Sequence, residues 1–165
     1  MQRRELFSFL SSSLKGQEKK EDSLVLRPPY YDDIDAFGRE CQNCKETPCV
    51  ASCQEHIIVI MKDNTPKLDL SKGGCTYCDD CASVCELNVL SLENKKLIDA
   101  NITIDEKKCL SWQGVMCFSC KDPCFEDAIE FKAMFMPKID MDKCNACGFC
   151  IARCPSNAID IKVKK

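Results

Sequence analysis

Sixteen of the 165 residues are cysteine, and they fall into four sets of four. The spacings are Cys41-x2-Cys44-x4-Cys49-x3-Cys53, Cys75-x2-Cys78-x2-Cys81-x3-Cys85, Cys109-x7-Cys117-x2-Cys120-x3-Cys124 and Cys144-x2-Cys147-x2-Cys150-x3-Cys154. The sets open at steps of 34, 34 and 35 residues. Thiolates are soft ligands, and three of them within seven residues suit the corners of one compact iron–sulfur cube. An ordinary tetrahedral zinc site prefers two separated C-x2-C pairs. The chemistry expected is therefore ligation of four [4Fe–4S] clusters, with one-electron transfer as its consequence. The third set is the least regular. Its alternative reading makes Cys109 a buried free thiol, leaving a three-iron or labile cluster there.

The fourth set ends in Pro155, completing the C-x2-C-x2-C-x3-C-P run of bacterial ferredoxins, in which the fourth cysteine of each motif ligates the other cluster of a pair. Applied to neighbouring sets, Cys41, Cys44, Cys49 and Cys85 hold one cluster, and Cys75, Cys78, Cys81 and Cys53 hold the next. A third takes Cys109, Cys117, Cys120 and Cys154, and a fourth takes Cys144, Cys147, Cys150 and Cys124. A nested pairing, first set with fourth and second with third, is the alternative. Gln54, Glu86 and Phe125 stand where Pro155 stands, so a looser turn is expected after those three sets.

The elements that position these loops recur with them. Five residues past each final cysteine sits Ile58, Leu90, Ile129 or Ile159, and two further on Ile60, Leu92, Phe131 or Ile161. This alternation predicts short strands with one buried face. Partner segments precede the later sets, at Pro66–Leu70, at Ile102 with Ile104, and at Pro137–Met141. Each unit reads as a ligand loop, a short helical turn and half of a hairpin. A unit of this size has too little apolar material to fold without metal. The fold expected is α+β, with tandem bacterial-type 2[4Fe–4S] ferredoxin-like domains at 36–100 and 101–165, after an N-terminal segment at 1–35.

Charge and composition exclude other classes. With 23 basic and 26 acidic residues the formal net is −3, and four loaded sites would bring it to roughly −11. Nucleic acid is thereby excluded as an expected partner, since phosphate binding needs a basic surface. No run approaches the length of a membrane span, and no transmembrane segment is expected. Grouped cysteines read as ligands in a reducing cytosol rather than as disulfides. Catalytic machinery is absent from the reading. There is no acid–base pair or nucleophile constellation, and Gly73-Gly74 is no phosphate cradle. His56 lacks the second histidine of a Rieske pair and is expected at a strand start. Trp112, inside the insert of the third set, is expected to shield a cluster from water.

Residues 1–35 stand apart. Leu6, Phe7, Phe9, Leu10 and Leu14 would share one face of a short helix, docking on a partner or packing weakly. Gln17–Ser23 reads as a charged linker, and Arg27-Pro28-Pro29-Tyr30-Tyr31 as a rigid extended piece.

Taken with the four sets, these residues resemble the family of ferredoxin-type NapF proteins, encoded with periplasmic nitrate reductases. The resemblance rests on Arg3-Arg4 without a complete export signal, Arg27-Pro28-Pro29 followed by an aromatic residue, and the irregular third set. That set opens Cys109-Leu110 with Trp112-Gln113 and Val115 before Cys117. The x4 step of the first set departs from the more regular motif of the family. The resemblance implies a cytoplasmic accessory protein, not itself an enzyme. Its implied partner is the catalytic molybdopterin subunit of the reductase before export, with maturation or electron supply as the role. The alternative is an electron-transfer subunit of a membrane-linked dehydrogenase or hydrogenase.

Overall fold

A computed structural model describes residues 25–164. The helix and linker expected over residues 1–24 lie outside the described residues. Among those described, no helix is long and apolar enough to cross a membrane.

The elements are short. Helices α1 (Asp35–Glu40) and α2 (Pro48–Ser52) lead into strands β1 (Ile58–Ile60) and β2 (Pro66–Leu68), then α3 (Asp80–Ser83). Strands β3 (Ala100–Ile104), β4 (Ile129–Lys132) and β5 (Met136–Ile139) follow, then α4 (Phe149–Arg153) and β6 (Ile159–Val163). Three two-stranded antiparallel ribbons result, β1 with β2, β3 with β6 and β4 with β5. Ile58 faces Leu68, Ile129 faces Ile139, and Ile102 faces Ile161. The period-2 pattern thus marks real strands, with Lys67, Asn101 and Thr103 on the exposed side and Leu68 and Ile102 buried. This is the α+β arrangement of tandem ferredoxin-like units, helical turns and hairpins wrapped around cysteine loops.

The second half closes its outer ribbon with its first and last strands, β3 and β6, around the inner hairpin β4/β5. In the first half β1/β2 is the inner hairpin, but the strand expected through Leu90 and Leu92 does not form. Leu90 is buried, whereas Leu92 begins a 3-10 turn, Leu92–Asn94, and points to solvent. The segment facing it is Arg27–Tyr31, in which Pro28 and Pro29 have no N–H and cannot supply a continuous ladder. Isolated hydrogen bonds replace the ladder: Ser91 N–H donates to the Tyr30 carbonyl at 2.8 Å and Lys96 N–H to that of Pro29 at 3.0 Å. Pro28, Pro29 and Tyr30 are nearly fully buried here, so residues grouped with the N-terminal segment by sequence pack into the first half. The division at 100/101 falls inside β3, which begins at Ala100.

The expected helical turn is present in the first, second and fourth sets as α2, α3 and α4, each carrying its set's third cysteine. In the third set hydrogen-bonded turns replace it, with Lys121 N–H on the Phe118 carbonyl and Cys124 N–H on that of Lys121. Pro123 lacks the amide a further helical bond would need there.

Candidate metal centres

The thiols gather in four groups, each made of three cysteines from one loop and one from the neighbouring set. Cys41, Cys44, Cys49 and Cys85 line one cavity, and Cys53, Cys75, Cys78 and Cys81 line another. Cys109, Cys117, Cys120 and Cys154 line a third. Cys147 and Cys150 face Cys144 from their own loop and Cys124 from the third set. A nested arrangement would place Cys154 with the first set, whereas it stands with Cys109, Cys117 and Cys120. The seven-residue insert does not remove Cys109 from its group.

The first cavity encloses about 320 Å³, against about 20 Å³ for the second and third. The x4 step is taken up at Thr47, whose left-handed backbone (φ 43°) precedes Pro48 and α2. The loop is then clamped by Asn64, whose side-chain amide donates to the carbonyls of Cys41 and Cys44, each at 3.1 Å. Apolar walls surround the second group, from Pro28, Pro29, Tyr30, Ile57 and Leu68. Ile104, Leu110, Pro137 and Ile159 wall the third. Trp112 does not line that cavity; its indole N–H donates to the Pro137 carbonyl at 3.2 Å.

Every set ends in the same turn. His56, Asn88, Asp127 and Asn157, each three residues past a fourth cysteine, adopt left-handed φ values of 53°, 54°, 47° and 49°. Each donates its N–H to that cysteine's carbonyl, at 3.0 to 3.3 Å. Three of the four are Asn or Asp, which tolerate this region best after glycine. The looser turn expected after Cys53, Cys85 and Cys124 is therefore absent; the +3 residue sets the turn, and Pro155 is not required for it. His56 is exposed in this turn, ahead of β1. Just beyond, N–H groups point at sulfur: Leu90 to Cys85 Sγ at 3.4 Å, Ala128 to Cys124 Sγ at 3.3 Å and Ala158 to Cys154 Sγ at 3.2 Å.

Burial, followed by the charge of neighbouring thiols, pushes the Cys41 and Cys49 thiols up to about 11 and those of Cys81 and Cys150 up to about 12. Such crowding favours thiolate only when a cationic centre compensates it. Cys154 is the exception. Burial works to raise it, but hydrogen bonds from Ala158 N–H and the Ser156 side chain hold it below the ordinary value. Among the described residues, no three His, Cys, Asp or Glu side chains converge closely enough to hold a single metal ion.

Arg27 is a functional candidate that spacing alone misses. Its guanidinium sits 4.7 Å over the Phe37 ring and donates to Thr65 Oγ1 at 2.8 Å and to the Pro66 carbonyl. Burial lowers its pKa, opposed by the charges of Asp63 and Cys41. A half-buried cation beside the first thiol group favours added negative charge there. Its only sequence signal is its place before Pro28-Pro29.

A family model described as a 4Fe–4S binding domain matches residues 137–160. The chain is 30% identical over 150 residues to the ferredoxin-type protein NapF of Escherichia coli (strain K12), covering 88% of this chain and 89% of that one. It is 30% identical to the ferredoxin-type protein NapF of Haemophilus influenzae, over 92% and 86% of the two chains. To the ferredoxin-type protein NapG of the same organism it is 25% identical, over 90% of this chain and 62% of the relative.

Proposed function

Because the chain belongs to the family of ferredoxin-type NapF proteins, we propose that it carries four [4Fe–4S] clusters and passes single electrons between them and a partner. The ligands are Cys41, Cys44, Cys49 and Cys85; Cys53, Cys75, Cys78 and Cys81; Cys109, Cys117, Cys120 and Cys154; and Cys124, Cys144, Cys147 and Cys150. The observation that carries the reading is the gathering of all sixteen thiols into four-membered groups, each completed from the neighbouring set. Four soft donors around a walled space fit a cubane. Two ferredoxin-like domains of two sites each follow from the same grouping. Bound there, a [4Fe–4S] cluster supplies a reversible one-electron couple, commonly at low potential.

The protein's own residues bind, shield and tune. Pro28, Pro29 and Tyr30 exclude water from the second site, as Ile104, Leu110 and Ile159 do at the third. The amides of Leu90, Ala128 and Ala158 donate to thiolate sulfur and stabilise added negative charge, as the Arg27 guanidinium does near Cys41. The chain works as a carrier rather than by turning over a substrate. Its place is the cytoplasm, where it meets the catalytic molybdopterin subunit of a periplasmic nitrate reductase before export, maturing that subunit or supplying it with electrons.

Iron and sulfide analysis of anaerobically reconstituted protein tests the cofactor reading. About sixteen irons per chain are expected, with broad absorbance near 400 nm; a colourless, iron-free, folded product would overturn it. An anaerobic pull-down with tagged chain tests the partner. Recovery of the unexported reductase subunit is expected, and recovery only of a membrane dehydrogenase or hydrogenase would replace this role.

A further inference from the structure

Cysteine loops of the two halves meet directly. Cys75 N–H donates to the Cys147 carbonyl at 2.7 Å, joining a residue of the second thiol group to one of the fourth. Two glycines permit this approach. A Cβ on Gly74 would lie 2.6 Å from the ring and backbone nitrogen of Phe149, and one on Gly148 would lie 2.5 Å from the Leu70 side chain. Gly148 also has φ +89°, where a side chain is strained. Tyr77 lies between Cys75 and Cys78 and bridges the same gap. Its hydroxyl donates to the Asn145 carbonyl and accepts from Ile98 N–H at 3.1 Å. Ala146, next to Asn145, is buried.

Among the described residues, no backbone hydrogen bond joins the first group to either group of the second half. Its cysteines meet the second group within their own half, through Cys49 near Cys81. The third group reaches the fourth in the same way, through Cys120 near Cys150.

We propose that the Cys75–Cys147 seam is the electron-transfer contact between the halves, with Gly74, Gly148 and Tyr77 as its positioning residues, so that the four sites lie in the order first, second, fourth, third. Across the seam one electron passes. One site is oxidised and the other reduced by that electron, and no bond is made or broken. The electron enters from a low-potential one-electron reductant, dithionite in the test below. The outer sites, first and third, are then the ends at which redox partners meet the path. This inference rests on the cluster ligation proposed above.

The test uses the full chain, reconstituted anaerobically and reduced with dithionite, with iron content and the electron paramagnetic resonance lineshape as readouts. Spins at the second and fourth sites should broaden one another in the parent chain. Gly74→Val, which drives a side chain into Phe149, should lose that broadening, and Tyr77→Phe should lose part of it, both with unchanged iron. Gly38→Val is the control, because a Cβ there meets nothing within 4 Å, and its lineshape should match the parent's. Unchanged lineshapes in fully loaded Gly74→Val and Tyr77→Phe would overturn the seam alone. A parent chain that takes up no iron would overturn the ligation reading, and the seam with it. Should Gly74→Val fail to load, Tyr77→Phe decides, since it removes a single hydroxyl.

Discussion

In the second half, β3 and β6 pair from Ala100 with Val163 through to Ile104 with Ile159, and backbone bonds alone seal the outer face. In the first half the same place is held by Arg27–Tyr31, through isolated backbone bonds reinforced by side chains. Arg27 reaches Thr65 and Pro66, and the Tyr30 hydroxyl donates to Asp79 Oδ1 at 2.8 Å. Asp79 in turn receives the Lys95 ammonium at 2.6 Å. A ladder depends on backbone and tolerates most side-chain changes; a clasp of this kind depends on particular residues. Two halves with matching four-thiol groups thus differ in which substitutions they can survive.

The largest effects should be common to both halves, because in the proposed ligation both exchange their fourth cysteines. Cys85→Ala should remove the site of Cys41, Cys44 and Cys49, and Cys154→Ala that of Cys109, Cys117 and Cys120, each costing about four irons. Cysteine variants whose loss instead follows their own sequence set would break the likeness at its root.

Next come substitutions that separate the halves. Ile102→Ala empties a buried position in β3 and should cost about 2–5 kcal/mol, felt as earlier bleaching of the second half in anaerobic guanidinium titrations. Arg27→Met leaves the buried Thr65 hydroxyl and Pro66 carbonyl without their donor and should cost the first half about 1–3 kcal/mol. It should also move the potential of the first site downward, measurable by redox titration. Equal bleaching of both halves in either variant would show that they unfold as one unit.

The smallest effect concerns pH. Cys81, Cys120 and Cys150 are pushed up to about 12, by burial foremost, so each empty site holds protons that ligation must release. Iron uptake should therefore strengthen as pH rises from 7 to 9 and weaken as it falls. Absorbance at about 400 nm, followed during anaerobic reconstitution across this pH range, checks the sign.

Ligand spacing and strand period were legible in the sequence because both are local patterns. Ile58, Ile129 and Ile159 sit five residues past their cysteines, and each starts a strand. Leu90 follows the same rule and starts none, because the deciding residues, Pro28 and Pro29, lie some sixty positions away in the chain. The Asn64 clamp, the Arg27 clasp and the Gly74–Phe149 approach are likewise contacts between distant segments that no spacing encodes. The left-handed turn was legible in principle, in Asn88, Asp127 and Asn157. His56 at the fourth position disguised it.

The proposed exchange of the fourth cysteine also sets a timetable for synthesis. Cys41 leaves the ribosome 44 residues ahead of Cys85, an interval of roughly 2–9 s at ordinary elongation rates. Throughout it the leading thiols are reactive and one partner short. Whatever delivers iron and sulfide must tolerate that delay or guard the nascent loop, and oxygen met in those seconds does its harm before the first site can close.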